Sequence, residues 1–340
     1  MKIMQIGSYG RNLGDNIAML NIRRALSPDI EWTSQNFQNR PEVADVNKHD
    51  AVILGGGGLI EGGPYAKNAK SGYKLPFLPA FLNKIEVPIY VCGVGLNDFR
   101  GQPTLYGKGL TNFRLLVERS SLFYVRDDGS YEKLQALGVE GILECPDPGL
   151  VNQAMKDNCY ELEKGFITHA LNSNKSIMTG RRTSIQELKK IVKTLGVTPF
   201  PHTPKDYRLT LPMAVPKPKL ISGTRNLGVG ILEKYLEYDY SVAMRGHGQF
   251  VAIAKNIPTI TLSTQDKLLH FAEKHDLMGY TVDTENDVDW KDKLVRLVTL
   301  LKTDKDYLTG WYRRAREIRV KSQSSFDNMI RSLNYELSRL

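Results

Sequence analysis

Long apolar runs, cysteines and metal-ligand spacings are the features this sequence has least of. No stretch approaches the roughly 20 consecutive apolar residues of a membrane-spanning helix, which argues against a helical span. The opening residues, MKIMQIGSYG, read as a short strand entering a glycine loop. They lack the apolar core and small-residue cleavage site of a secretory signal. Both absences set the expectation of a cytoplasmic protein. The three cysteines, Cys92, Cys145 and Cys159, are odd in number and show no metal-like spacing. They are expected as reduced thiols, two of them buried near strand ends, with no metal centre. No internal repeat or low-complexity tract is present.

What is present is enough for two cores. The chain has 340 residues, 41% hydrophobic and 24% charged, which is ordinary for globular protein and too long for one core. The net charge of +9 favours anionic partners: nucleic acid, phosphorylated metabolites, acidic glycans or a membrane surface. Much of the excess lies in WYRRAREIRVKSQ (311–323), which reads as a helix with a solvated face, so charge alone selects no partner. Nucleic acid fits poorly, because no aromatic-rich basic groove is evident.

Short apolar runs alternate with helical patterns. Strands are expected at 2–6, 51–54, 88–95, 122–125 and 141–145. Helices are expected from Asp15 onward and over 130–137, the latter stopped by Gly138. Residues 152–175 show no pattern and read as an inter-domain connection. The alternation then resumes, with strands at 197–200, 219–222, 241–244 and 259–262. Helices are expected around Leu188–Leu195, at 228–238, 248–255 and 266–274, and over the terminal stretches 287–302 and 305–340. Such alternation predicts an α/β protein with two Rossmann-like domains facing a cleft. The boundaries expected are 1–165 and 170–320, with a terminal helix over 321–340 able to pack back on the first domain. In such sheets ligands sit at the carboxyl ends of the strands.

Four loops follow predicted strands. The first, Gly7 to Asp15, contains Gly10, Asn12 and Gly14; its spacing matches neither a dinucleotide fingerprint nor a P-loop. It is equally a ligand cradle or a plain turn with Asp15 as helix cap. The second is Gly55-Gly56-Gly57-Gly58, costly in chain entropy unless a ligand or another backbone approaches closely. Glu61 follows it, able to bond a hydroxyl or to face water. In the third, Arg126 ends a buried strand before Asp127, Asp128 and Ser130; it suits an anion, or a structural pair with Asp127. The fourth is Arg245-Gly246-His247-Gly248. If extended there, Arg245 and His247 point the same way and put a proton donor beside a bound anion. His202 with Asp206, Lys267, and Arg181 and Arg182 are weaker candidates.

The ordered set of motifs resembles the polysaccharide pyruvyltransferase family. The resemblance runs through Gly10–Asp15, Gly55–Ile60, Arg126–Val139, Asp147-Pro148, Arg245-x-His247, Pro258 and Lys267. Two positions depart from the family pattern: Gly246, where leucine is common, and the Ser263-Thr264-Gln265-Asp266 run before Lys267. The resemblance implies a GT-B-like fold and transfer of the pyruvyl group of phosphoenolpyruvate to sugar hydroxyls as a ketal. It implies His247 as proton donor, with Arg245 and Arg126 holding the carboxylate and phosphate. The glycine loops, Asn12, Ser130, His202 and Lys267 would bind substrate, and the base is open among Asp15, Asp127 and Glu61. Phosphoenolpyruvate and a carbohydrate acceptor are the expected partners, with no cofactor or metal. A GT-B nucleotide-sugar glycosyltransferase and a non-catalytic binder of an acidic glycan or nucleic acid are the rival readings.

Overall fold

The computed structural model describes residues 1–9, 12–63, 69–97, 104–151, 154–169, 185–203, 206 and 233–340. The chain forms two compact units. The first holds Met1–Tyr9, Asp15–Pro148 and Ser322–Leu340; the second holds Gly10–Gly14 and Gly149–Lys321.

In the first unit the elements are β1 (Lys2–Gly7), α1 (Leu13–Ala25), β2 (Glu31–Asn36), α2 (Val43–Val46), β3 (Ala51–Ile60), α3 (Pro79–Leu82), β4 (Ile89–Leu96), α4 (Gly107–Glu118), β5 (Ser120–Arg126), α5 (Ser130–Ala136) and β6 (Leu143–Cys145). Its six strands are all parallel, in the order β2-β1-β3-β4-β5-β6. β4 is buried along its whole length, which is why it reads as an unbroken apolar run rather than an alternating one. Ile6, Leu54, Val91, Phe113, Leu116 and Phe123 belong to its core. Phe113 packs edge-on against Phe123, with ring centroids 5.6 Å apart.

In the second unit come β7 (Gly165–Thr168), α6 (Ile185–Leu195), β8 (Thr198–Pro199), β9 (Tyr240–Ala243), α7 (Gly246–Ala254), β10 (Thr259–Ser263), α8 (Asp266–Lys274), β11 (Thr281–Asp283), α9 (Trp290–Thr303) and the start of α10 (Lys305–Leu337), which from Ser322 onward belongs to the first unit. These strands are also all parallel, in the order β11-β10-β9-β7-β8. Every residue of α7 is buried, so it carries no polar stripe. The expected α/β class with two parallel sheets is the one observed. Both sheets are wound alike: the second strand lies outside the first, and the order reverses between β1 and β3 and between β7 and β9. Those reversals are the switch points at which doubly wound sheets bind ligands.

Several expectations change. The glycine tetrad is not a loop after β3 but lies inside it, paired to β4 through Gly55–Cys92 and Gly57–Val94. Gly56 and Gly57 have φ of 77° and 92°, which only glycine adopts without strain. The stretch read as a connection contains β7, a four-residue strand too short to show a pattern. β2 went unread because EWTSQN is polar and half exposed, as an edge strand permits. α1 begins at Leu13, so Asp15 lies within its first turn rather than capping it. Cys145 closes β6, whereas Cys92 is mid-strand in β4. Of the helix expected at 228–238, the described part is a 3-10 turn, Lys234–Glu237. The strand expected at 219–222 lies outside the described residues, as do Gly10, Arg181 and Arg182. Among the described residues no helix is long and apolar enough to cross a membrane.

Candidate functional site

In the second unit the switch point fixes the geometry. Thr168 pairs with Ala243, so β7 runs out into His169 beside the point where β9 runs out into Met244 and Arg245. Arg245 is still extended (φ −122°, ψ 142°) and precedes the first turn of α7. Its Nε donates to the His169 carbonyl at 2.8 Å, and its Nη2 donates to Asp206 Oδ1 at 2.6 Å. The other Asp206 oxygen accepts the backbone N–H groups of His202 (3.2 Å) and Thr203 (3.0 Å). One carboxylate thus ties the chain after β8 to the arginine after β9. A guanidinium carries five N–H donors in a planar fork, and these contacts use two.

His247 does not share an extended run with Arg245. It lies in the first turn of α7, 8% exposed, with its ring edge-on to Phe250. Glycines give it room. A Cβ on Gly14 would collide with the imidazole, and one on Gly248 would collide with Thr168 Oγ1. A Cβ on Gly246 would lie 3.7 Å from Lys267 Cε, so Lys267 reaches the same motif from the first turn of α8. Gly14 N–H donates to Asn12 Oδ1 at 3.2 Å, and Leu13 N–H to the His202 carbonyl at 3.2 Å. The second unit therefore gathers Asn12, Gly14, His169, His202, Asp206, Arg245, His247 and Lys267.

The electrostatics favour two neutral histidines here. Burial lowers the His169 pKa to about 4, with Asp206 opposing and Arg245 assisting. Burial also holds His202 well below its ordinary value, and the nearby charge of Arg245, then His247 and His169, pushes the same way. His202 Nε2 bonds the hydroxyl of Tyr235, itself buried. Sequence reasoning missed His169, because its strand was unread; the apolar Phe166-Ile167 pair ahead of a histidine was the available signal.

The first unit holds the remaining candidates. Arg126 is 2% exposed, donates a hydrogen bond to Asp147 Oδ2 and forms an ion pair with Asp128 Oδ2, each at 2.8 Å. Burial works against its charge, but Asp128, Asp147 and Asp15 outweigh burial and hold its pKa above the ordinary value. The expected Arg126–Asp127 pair is replaced by this one; Asp127 instead uses its backbone N–H, donating to the Cys145 carbonyl at 2.9 Å. Ser130 does not cap α5: its Oγ accepts the Leu96 N–H at 2.8 Å and donates to Asp128. A Cβ on Gly95 would collide with the Arg126 guanidinium, and one on Gly57 with the Asp15 carboxylate. Gly55 approaches the Cys92 carbonyl, and Gly56 packs on Met19. Gly58 lies against Asn97, whose Nδ2 donates to Glu61 Oε2 at 3.3 Å; Lys74 Nζ is 3.2 Å from the same oxygen. Among the described residues no group of three or more His, Cys, Asp or Glu is placed to hold a metal ion.

Comparison with solved structures returns the same two-sheet architecture. The S. aureus MnaA structure with UDP is 15% identical, with a TM-score of 0.54 over 92% of this chain and 90% of that one. The Methanocaldococcus jannaschii UDP-GlcNAc 2-epimerase with UDP-GlcNAc and UDP is 14% identical, with a TM-score of 0.51 over 95% and 99%. The Neisseria meningitidis UDP-GlcNAc 2-epimerase with UDP-GlcNAc is 13% identical, with a TM-score of 0.51 over 93% and 94%. At these identities the likeness is one of fold, and the fold is GT-B-like. No curated protein sequence matches the chain. The family model for polysaccharide pyruvyl transferase matches residues 9–266, a span running from the first glycine loop past the Arg245–His247 motif to the start of α8. Motif order, fold and family model agree, and the chain belongs to the polysaccharide pyruvyl transferase family.

Proposed function

We propose that the protein is a sugar-modifying transferase that moves the pyruvyl group of phosphoenolpyruvate onto two hydroxyls of a glycan or glycan precursor. The observation that carries this reading is the grouping of Arg245, His247 and Lys267 at the switch point of the second sheet, within a chain of this family. Phosphoenolpyruvate presents a carboxylate and a phosphate, and a guanidinium with donors to spare beside a lysine suits both. A sugar hydroxyl adds to C2 of the donor while His247 delivers a proton to the methylene carbon. The bond from C2 to the phosphate oxygen then breaks, and a second hydroxyl closes the ketal. Of the two hydroxyl protons, one restores His247 and the other leaves with phosphate. Arg245 and Lys267 offset the charge on the departing phosphate. The His169 carbonyl and the Asp206 carboxylate, itself held by the His202 and Thr203 N–H groups, fix the arginine. Arg126 acts on position only, because Asp128 and Asp147 already match its charge.

A second reading is a nucleotide-sugar enzyme, a glycosyltransferase or an epimerase. It is favoured by one observation: solved structures sharing the fold hold UDP or UDP-GlcNAc. Judged by fold alone it is the better supported of the two, and the same strand-end loops and helix N-termini suit a diphosphate. A sugar-acting GT-B-like enzyme is common to both. Incubating the pure protein with an acceptor sugar and either phosphoenolpyruvate or a UDP-sugar separates them. Phosphate release and a ketal in the product support pyruvyl transfer. UDP release or epimerised sugar with UDP-sugars, and inertness toward phosphoenolpyruvate, sink it.

A further inference from the structure

A cavity of 420 Å³ opens in the first unit, walled by the loop Ala69–Leu78 and by Arg40. Its volume falls within the range of small-molecule pockets. Among the described residues the lining has three basic side chains, Arg40, Lys70 and Lys74, and no acidic one. Pro76 and Leu78 add apolar surface, of the kind that packs against the C–H face of a sugar ring.

The wall is built rather than incidental. Gly72 has φ 78°, and a Cβ there would lie 2.7 Å from the Gly109 nitrogen, so the loop lies directly on the backbone of α4. Asn112 Nδ2 donates to the Ser71 carbonyl at 2.8 Å, and Ser71 Oγ to the Tyr73 carbonyl at 2.8 Å. Lys74 anchors the loop to the end of β3. Its N–H donates to the Glu61 carbonyl at 2.9 Å, its Nζ donates to the Gly58 carbonyl at 2.8 Å, and the Glu61 carboxylate neutralises it. Arg40 is steadied from the other side by the Phe81 ring, 5.6 Å from its guanidinium carbon. The wall is therefore ordered before a ligand arrives, which lowers the cost of binding.

With Lys74 committed to Glu61, Arg40 and Lys70 are exposed cations with no ion-pair partner among the described residues. We propose that this cavity is an acceptor subsite for a sugar residue bearing an anionic substituent, a carboxylate or a phosphate, received by Arg40 and Lys70. Lys74 places the subsite at the end of β3, beside Glu61 and beside Gly58, which belongs to the motif set that carries the family resemblance. The assignment to the acceptor rests on the transferase reading above; the recognition of an anionic sugar does not.

The test is direct binding, which needs no turnover. Saturation-transfer NMR titrations compare glucuronate, glucose 6-phosphate and glucose on the wild-type chain and on an Arg40→Ala/Lys70→Ala variant. At least one anionic sugar should bind at least about tenfold tighter than glucose, and the double variant should lose that preference, as expected when charge-assisted contacts are removed. Preference for glucuronate names a carboxylate as the substituent, and preference for glucose 6-phosphate names a phosphate. Because both side chains are exposed, the variant should melt with the wild type, so a lost preference is not misfolding. Equal binding of glucose and both anionic sugars, or an unchanged preference in the variant, overturns the subsite. Preferential binding without phosphate release from phosphoenolpyruvate would leave the subsite standing and remove the pyruvyl-transfer reading.

Discussion

Gly14 lies against the imidazole of His247 so closely that a single methyl group would displace the ring. The two residues come from opposite ends of the sequence motif set, yet both belong to the second unit. Gly14 is therefore required by its neighbour's ring and not by its own backbone angles, since its φ is not among the positive ones. Gly14→Ala is expected to lower turnover by about a hundredfold, as misplacing a reacting group by an ångström does. Overpacking should also cost about 1–3 kcal/mol of stability. Steady-state kinetics beside thermal unfolding check both; full activity would show that His247 tolerates displacement.

Arg126 is a buried charge of the first unit paired with two buried carboxylates. Arg126→Ala should cost about 3–5 kcal/mol, because Asp128 and Asp147 would stay buried without their cation. Arg126→Lys should restore little, since one ammonium cannot reproduce a fork spanning two carboxylates. Gly95→Ala should act in the same direction by pushing on the guanidinium. Urea denaturation of the three variants reads these differences.

Stability should fall on mild acidification. His169 and His202 are held below the ordinary histidine range, by burial first and then by Arg245. The unfolded chain therefore binds more protons than the folded one below about pH 6.5. Their neutral forms contribute stability that is fully present above that pH and is lost as pH falls toward 4. Each should add a slope of up to about 1.4 kcal/mol per pH unit within that window. Unfolding curves from pH 7.5 to 4.5 test this, and His169→Gln should flatten the slope.

The thiols should divide by exposure. Burial pushes Cys92 up to about 12 and Cys145 well above its ordinary value, whereas Cys159 is part-exposed. One thiol should react with an aromatic disulfide reagent in the native protein, and three after denaturation. Rapid loss of all three from the native state would contradict the packing of β4 and β6.

Much of the fold was legible because buried parallel strands are rich in apolar and β-branched residues: Ala51–Leu54, the run of β4, and Thr259–Leu262 announce themselves. The polar edge strand β2 and the brief β7 do not, since neither length nor periodicity separates them from loops. The glycine tetrad misled in another way. Four glycines look like a turn, but here they let β3 continue while passing close to β4 and α1. The missed His169 follows directly from the missed strand before it.

The sequence by itself determined the alternation of strands and helices, the order of the motifs, and the placing of Arg245 between a strand end and the next helix, because these are written in short-range pattern. The tertiary structure decided what those residues touch. Arg245 bonds a carbonyl 76 positions away, and Arg126 a carboxylate 21 positions away. Such partners are set by strand order, which brings the carboxyl ends of β7 and β9 together, and no local periodicity records that order. For the same reason, Arg126, which read as either an anion ligand or a member of a structural pair, has two buried aspartates as partners that its local sequence does not single out.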